Sequence, residues 1–180
     1  MNTTASRTMK TITTISVVGW HNVGKTAFVE RLIAALKTRG MRVATVKHSR
    51  DDFDIDHPNT DTWRYRRAGS DVVVISAPGR VAMIEEREEE ATLEEIIGRL
   101  PGRIDLVVTE GFKRLPLPKI EVTTRWAWES EGRITPEGLL LAIVSDDEIP
   151  GAGGVPRFRH DDVEGVVGLL ERLGVVKGRG

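Results

Sequence analysis

Gly19-Trp20-His21-Asn22-Val23-Gly24-Lys25-Thr26 is the stretch that decides how this chain folds. The octet matches G-x-x-x-x-G-K-[ST]. It lies between a β-branched run, Ile15-Ser16-Val17-Val18, and a segment in which Phe28, Val29, Leu32, Ile33 and Leu36 recur at helical spacing. A strand, a glycine-bearing loop and a helix in that order make a phosphate cradle. The glycines let the main chain close around phosphate oxygens, and the amides of Gly19 through Thr26 and of Ala27 face the anion together with the positive end of the helix dipole. Lys25 reaches the outer phosphates and is the one group here with a catalytic assignment, while Thr26 offers a hydroxyl to Mg²⁺. Trp20 and His21 are assigned their backbone amides only, their side chains being read as packing or solvated.

Outward from the loop, Lys37, Arg39 and Gly40 form the cationic, glycine-terminated end of the first helix. Arg42–Lys47 reads as a second strand. Residues 48–71 are polar and lack a core pattern of their own, and a connection of that length tends to be functional. Val72–Ile75 and Val81–Ile84 flank Ala77-Pro78-Gly79-Arg80 as a hairpin or a pair of neighbouring strands. The glutamate run of 85–95 leads into a helix with Leu93, Ile96, Ile97 and Leu100 on its apolar side. Buried strands are then expected at 104–109, 119–123 and 139–144, the last of the sheet, with a closing helix over 162–173. Near-continuous apolar strands alternating with helices predict an α/β protein of the three-layer P-loop NTPase fold, with a mostly parallel sheet and helices on both faces.

A phosphate loop binds Mg²⁺ with help from a carboxylate at the C-terminal end of a neighbouring strand. Glu110, which follows Asp105-Leu106-Val107-Val108-Thr109, fits that place, whereas Asp105 at the other end of the strand is read as structural. Asp51-Asp52-Phe53-Asp54-Ile55-Asp56 puts further carboxylates after the second strand. They either complete the metal shell, with Asp54 the residue selected, or form a polar turn. His48 is placed to meet substrate or phosphate, or serves as a simple hydrogen-bonding group. Arg67, beside Arg64 and Arg66, suits an oxyanion or an acidic partner, or is solvated helix charge. Asp146 follows the last strand, where its carboxylate either accepts the N1 and N2 donors of guanine or starts a turn.

With 180 residues, 39% hydrophobic and 29% charged, the chain has the make-up of one ordinary domain, expected over 13–175 behind a flexible leader at 1–12. A net charge of -1 argues against a nucleic-acid partner. The absence of cysteine excludes disulfides and thiolate chemistry. No apolar run has the length of a bilayer span, and the polar start carries no signal-peptide core, so the expectation is a cytoplasmic protein without a membrane partner.

Over residues 13–170 the sequence resembles the molybdopterin-guanine dinucleotide biosynthesis protein B (MobB) family. The likeness rests on the phosphate loop, Val46-Lys47-His48 with Asp52-Phe53-Asp54-Ile55-Asp56, Tyr65-Arg66-Arg67-Ala68-Gly69, Thr109-Glu110-Gly111-Phe112-Lys113 and Pro118-Lys119-Ile120-Glu121-Val122. The resemblance implies a GTP-binding, Mg²⁺-dependent homodimer with at most weak GTP hydrolysis. Such a protein would act as an adapter to the molybdopterin guanylyltransferase, and Lys113 and Lys119 would contact the anionic molybdopterin or the partner. Asn22-Val23 replaces the small residues frequent in that family's loop, and Ala27 replaces a frequent second hydroxyl. The competing reading is an ATP-dependent ligase or kinase similar to dethiobiotin synthetase, which shares the loop and the Thr-Glu-Gly-like strand end.

Overall fold

The computed structural model describes residues 12–49 and 52–177. The expected leader, up to residue 11, and Asp51 of the acidic segment lie outside the described residues. Residues up to His48 and from Arg99 onward form one compact unit, and Ser49–Gly98 form a second.

The first unit is a six-stranded sheet built from β1 (Thr13–Val18), β2 (Val43–Lys47), β5 (Leu106–Glu110), β6 (Lys119–Val122), β7 (Leu140–Val144) and β8 (Arg157–Phe158). They lie in the order β2-β5-β1-β6-β7-β8 and every pairing is parallel. β8 extends the sheet beyond the strand expected to end it. It has two residues, too few for any hydrophobic period, and exists because Arg157 and Phe158 pair with Ile143 and Val144.

The α/β class expected from the sequence is the one found. On one face, α1 (Lys25–Thr38) and α5 (Val163–Arg172) pack over Ile15, Val17, Val108, Ile120 and Val122. Phe28, Leu32 and Leu36 of α1 and Val166 and Leu170 of α5 are fully buried there. The other face is buried as well, which is why the central strands carry no polar-apolar alternation. Register places Ser16 beside Thr109 and Lys119, and Val18 beside Glu121, and all five side chains are inaccessible to solvent. Irregular segments close that face: Ser16 Oγ donates to Gly111 O at 2.7 Å, and Glu121 accepts from the amides of Ile134 and Thr135 at 2.9 Å each. A short helix, α4 (Arg125–Ser130), follows β6 and begins at Thr124, whose hydroxyl accepts from Ala127 N. Its six residues hold less than two helical turns, too few to show a period in the sequence.

In the second unit α2 (Asp61–Arg67) is capped by Thr60 and leads to β3 (Val72–Ala77) and β4 (Arg80–Glu85), which form the expected antiparallel hairpin. α3 (Leu93–Gly98) starts with Thr92 and Glu95 in a capping box: Thr92 Oγ1 accepts from Glu95 N, and Glu95 Oε2 accepts from Thr92 N at 2.8 Å.

Removing the centre of the α1 seam tests this account. Leu32→Ala should cost about 2–5 kcal/mol, read as a fall in the urea midpoint at constant slope. A loss below about 1 kcal/mol would mean that α1 does not seal the face it covers.

Candidate functional site

β1 delivers the chain to Gly19 with no room for a side chain: a Cβ there would lie 2.2 Å from Val122 O. Asn22 and Gly24 both have left-handed backbone, φ 60° and 87°, a conformation that Asn and Gly tolerate best. The loop then enters α1, whose N-cap is Gly24 with no side-chain hydrogen bond and whose first turn carries no acid. α2, α3, α4 and α5 each have a Thr or Asp side chain occupying their first amides. Among the α-helices of the described residues, α1 alone presents a first turn with no side-chain cap, and it does so next to a wrapped loop.

The loop's carbonyls point elsewhere. Trp20 O accepts from Lys25 Nζ at 2.5 Å, Val23 O accepts from His160 Nε2 at 3.0 Å, and Gly24 O accepts from Phe28 N at 3.0 Å. Lys25 is thus folded back across its own loop. Its pKa is lowered, first by desolvation and further by the charges of Lys113 and Lys47, against the opposing pull of Glu110. An anionic ligand would reverse that penalty.

The proposed metal position also comes together. Register sets Glu110 level with Val17 on one side and Lys47 on the other, at the C-terminal edge of the sheet. Thr26 Oγ1 donates to Glu110 Oε1 and Oε2 at 3.2 and 3.3 Å, and Lys47 Nζ is 3.8 Å from Oε1. A hydroxyl and a largely buried carboxylate a hydrogen bond apart form a hard-oxygen donor pair of the kind Mg²⁺ takes alongside water and phosphate. The residues fit the ion.

After Glu110 the chain turns through Gly111 and Phe112, both left-handed at φ 100° and 50°. His48 stacks on the Phe112 ring with centroids 5.0 Å apart, and its amide donates to Glu110 O at 3.0 Å. It therefore supports the turn. Lys113 is carried over the Trp20 ring, Nζ 4.3 Å from the centroid, while the Trp20 indole donates to Gly132 O at 3.0 Å. The Trp20 side chain, expected only to pack or face solvent, positions a second cation beside the loop.

Three of the expected contact residues have other partners within the protein. Lys119, expected to meet pterin or partner, is fully buried and donates to the carbonyls of Leu115 and Leu117, so it fastens the segment that carries Lys113. Burial lowers its pKa. Asp54, selected for the metal, accepts from Arg66 Nη1 at 3.0 Å within the second unit, where Arg66 also binds Glu86 at 2.8 Å. The nearby arginine takes the carboxylate a cation would need. Asp146, expected at a guanine base, turns both oxygens to His160: Oδ1 accepts from His160 N at 3.1 Å, and Oδ2 lies 3.2 Å from Nδ1. These contacts, the amide first, lower its pKa. Arg67 lies exposed on α2 with its guanidinium 5.1 Å above Trp63. His21 and Asn22 are exposed. His160 was invisible in the sequence, a lone histidine 137 positions from its partner in the loop.

The chain matches the family model described as molybdopterin guanine dinucleotide synthesis protein B over residues 14–146. It is 31% identical over 169 residues, 92% of this chain and 94% of the relative, to the molybdopterin-guanine dinucleotide biosynthesis adapter protein of Escherichia coli K12. A probable adapter protein of the same description from Bacillus subtilis is 29% identical, covering 88% of this chain and 92% of that one. A crystal structure of molybdopterin-guanine biosynthesis protein B superposes with TM-score 0.70 at 31% identity, over 89% of this chain and 99% of that one. Bacillus subtilis MobB superposes with TM-score 0.72 at 26% identity, over 93% and 100%.

The Thr26–Glu110 pair yields a test. Thr26→Val and Glu110→Gln should each weaken nucleotide affinity about tenfold with Mg²⁺ and leave the metal-free affinity within about twofold, by calorimetry in buffer and in chelator. Equal losses under both conditions would remove the metal from this position.

Proposed function

The chain belongs to the molybdopterin guanine dinucleotide synthesis protein B family, and from that premise we propose that it is a GTP- and Mg²⁺-binding adapter for the molybdopterin guanylyltransferase. Its part is binding, with at most weak hydrolysis. The observation that supports the reading is the uncapped α1 N-terminus joined to a loop whose Trp20, Val23 and Gly24 carbonyls are hydrogen-bonded, with Lys25 beside it and Thr26 and Glu110 a hydrogen bond apart. Thr26 and Glu110 would hold Mg²⁺, which would neutralise phosphate charge, and Lys25 is the cation available to the outer phosphates.

Lys113 and, at the same edge, His48 are the proposed contacts of the anionic molybdopterin. Arg67 is a proposed contact of the partner protein. No helix among the described residues is long and apolar enough to cross a membrane, in keeping with a proposed cytoplasmic site of action.

The same reading includes a homodimer, and the hairpin supports it. Val72, Val74, Val81 and Met83 share one face of β3–β4 and are 45–68% exposed. A two-stranded ribbon is marginal alone, and an apolar face with open edges is suited to pairing with a second copy. Met83→Glu should therefore turn the dimer into monomer in sedimentation; an unchanged dimer would remove the hairpin from the interface.

The central test is a pull-down of the guanylyltransferase by this protein with GTP·Mg²⁺, with ATP·Mg²⁺ and without nucleotide, together with calorimetry. Lys25→Ala should weaken GTP binding by about a hundredfold or more and abolish the GTP-dependent part of capture. Unchanged affinity would end the assignment of the loop, and fast ATP consumption with a small acidic acceptor would replace the adapter by a ligase or kinase.

A further inference from the structure

The peptide between Val23 and Gly24 is held from outside the phosphate loop. Val23 O can only accept, so the proton shared with His160 at 3.0 Å belongs to Nε2. In a trans peptide the carbonyl and the following N–H point to opposite sides. No cis bond occurs among the described residues. Anchoring Val23 O towards His160 therefore turns the Gly24 N–H the other way, to the side where the loop wraps a phosphate. His160 also packs against Gly24 itself: a Cβ at that position would lie 3.0 Å from Nε2, in a residue already left-handed at φ 87°.

His160 is in turn braced. Its amide donates to Asp146 Oδ1 at 3.1 Å, and its carbonyl accepts from Arg31 Nη1 of α1 at 3.1 Å. Its Nδ1 faces Asp146 Oδ2 at 3.2 Å, at an angle outside hydrogen-bond geometry. Arg159 Nη2 stands 3.6 Å from Asp146 Oδ1, and Arg159 Nε 3.5 Å from Asp161. The His160 backbone is thus held by the strand end after β7 and by α1, and its ring lies between the Val23 carbonyl and the Asp146 carboxylate. The contact is more than packing needs, because a buried apolar side chain would fill the same space without taking a carbonyl.

We propose that His160, oriented by Asp146, is a positioning residue for nucleotide binding, which aims the Gly24 amide into the cradle by holding the Val23 carbonyl outward. The proposal rests on the reading of the loop as a nucleotide site and deepens it. It makes the segment after β8 part of that site and ties the loop's shape to the sheet edge at residues 145–147. Preorganised amides bind an anion without the cost of turning a peptide first.

The test uses the full chain and GTP·Mg²⁺, with affinity by calorimetry, melting temperature, and the ¹⁵N shift of the Gly24 amide. Wild type should bind GTP; no binding at all would overturn the nucleotide reading and this proposal with it. His160→Ala should weaken binding about tenfold and move the Gly24 resonance, the loss of one charge-adjacent hydrogen bond. His160→Gln, whose amide N–H reaches the same carbonyl, should restore affinity to within about threefold at the melting temperature of His160→Ala. Wild type that binds GTP while His160→Ala binds it equally well, or His160→Gln no better than His160→Ala, would overturn the proposal alone. If His160→Ala does not fold, Asp146→Ala, which removes the acceptor of the His160 amide, decides. A loss of affinity at unchanged melting temperature is expected, and unchanged affinity overturns the positioning role.

Discussion

An anion held by peptide amides imposes a double requirement: the N–H groups must turn inward, and each carbonyl on the same peptides must find a donor elsewhere. The loop after β1 meets this requirement at Trp20, Val23 and Gly24 with three different donors, an ammonium, an imidazole and the next turn's amide. Much of the first unit can be understood from that need. Gly19 presses against Val122 O because β1 and β6 are paired neighbours, and α1 opens without a side-chain cap, which leaves its first amides open to an anion.

The sheet supplies the charges. Parallel register puts Lys47, Glu110 and Val17 in one row, so the acid and the loop meet at the same edge whatever their separation in sequence. On the face away from α1 the strands bury Ser16, Thr109, Lys119 and Glu121; Thr109 bonds the main chain of neighbouring β1, and the other three bond main chain in the residues that close over them. A buried charge is tolerated when its hydrogen bonds are met, and removing one partner is costly. The bonds of Ser16 and Lys119 therefore hold the 111–118 segment, and Lys113 with it, where Trp20 can receive the cation.

The second unit follows a different logic. Arg66 binds Asp54 and Glu86, joining the acidic loop to the residue after the hairpin, while Asp56 accepts from Thr60 and Thr62. These carboxylates are thus committed within the unit, and beside its exposed charges it leaves an apolar surface outward: the hairpin face, with Phe53, Ile55 and Tyr65 also exposed. Surfaces of that kind suit protein contacts better than chemistry.

Local patterns carried the sequence reading as far as they extend. The phosphate loop, the strand before it, the helix after it and an acid ending a buried apolar run are each contiguous, and each places its residues by chain geometry alone; Thr26 and Glu110 were legible for that reason. Tertiary structure decided everything that depends on one carboxylate or ammonium having several suitors. Asp54 went to Arg66, Lys119 to its own loop's carbonyls and Asp146 to His160, choices set by strand register and by which distant side chain arrives first within hydrogen-bond reach. β8 and the His160 contact belong to the same class: they arise from pairing across long stretches of chain, and no period or motif in a single sequence records a partner that far away.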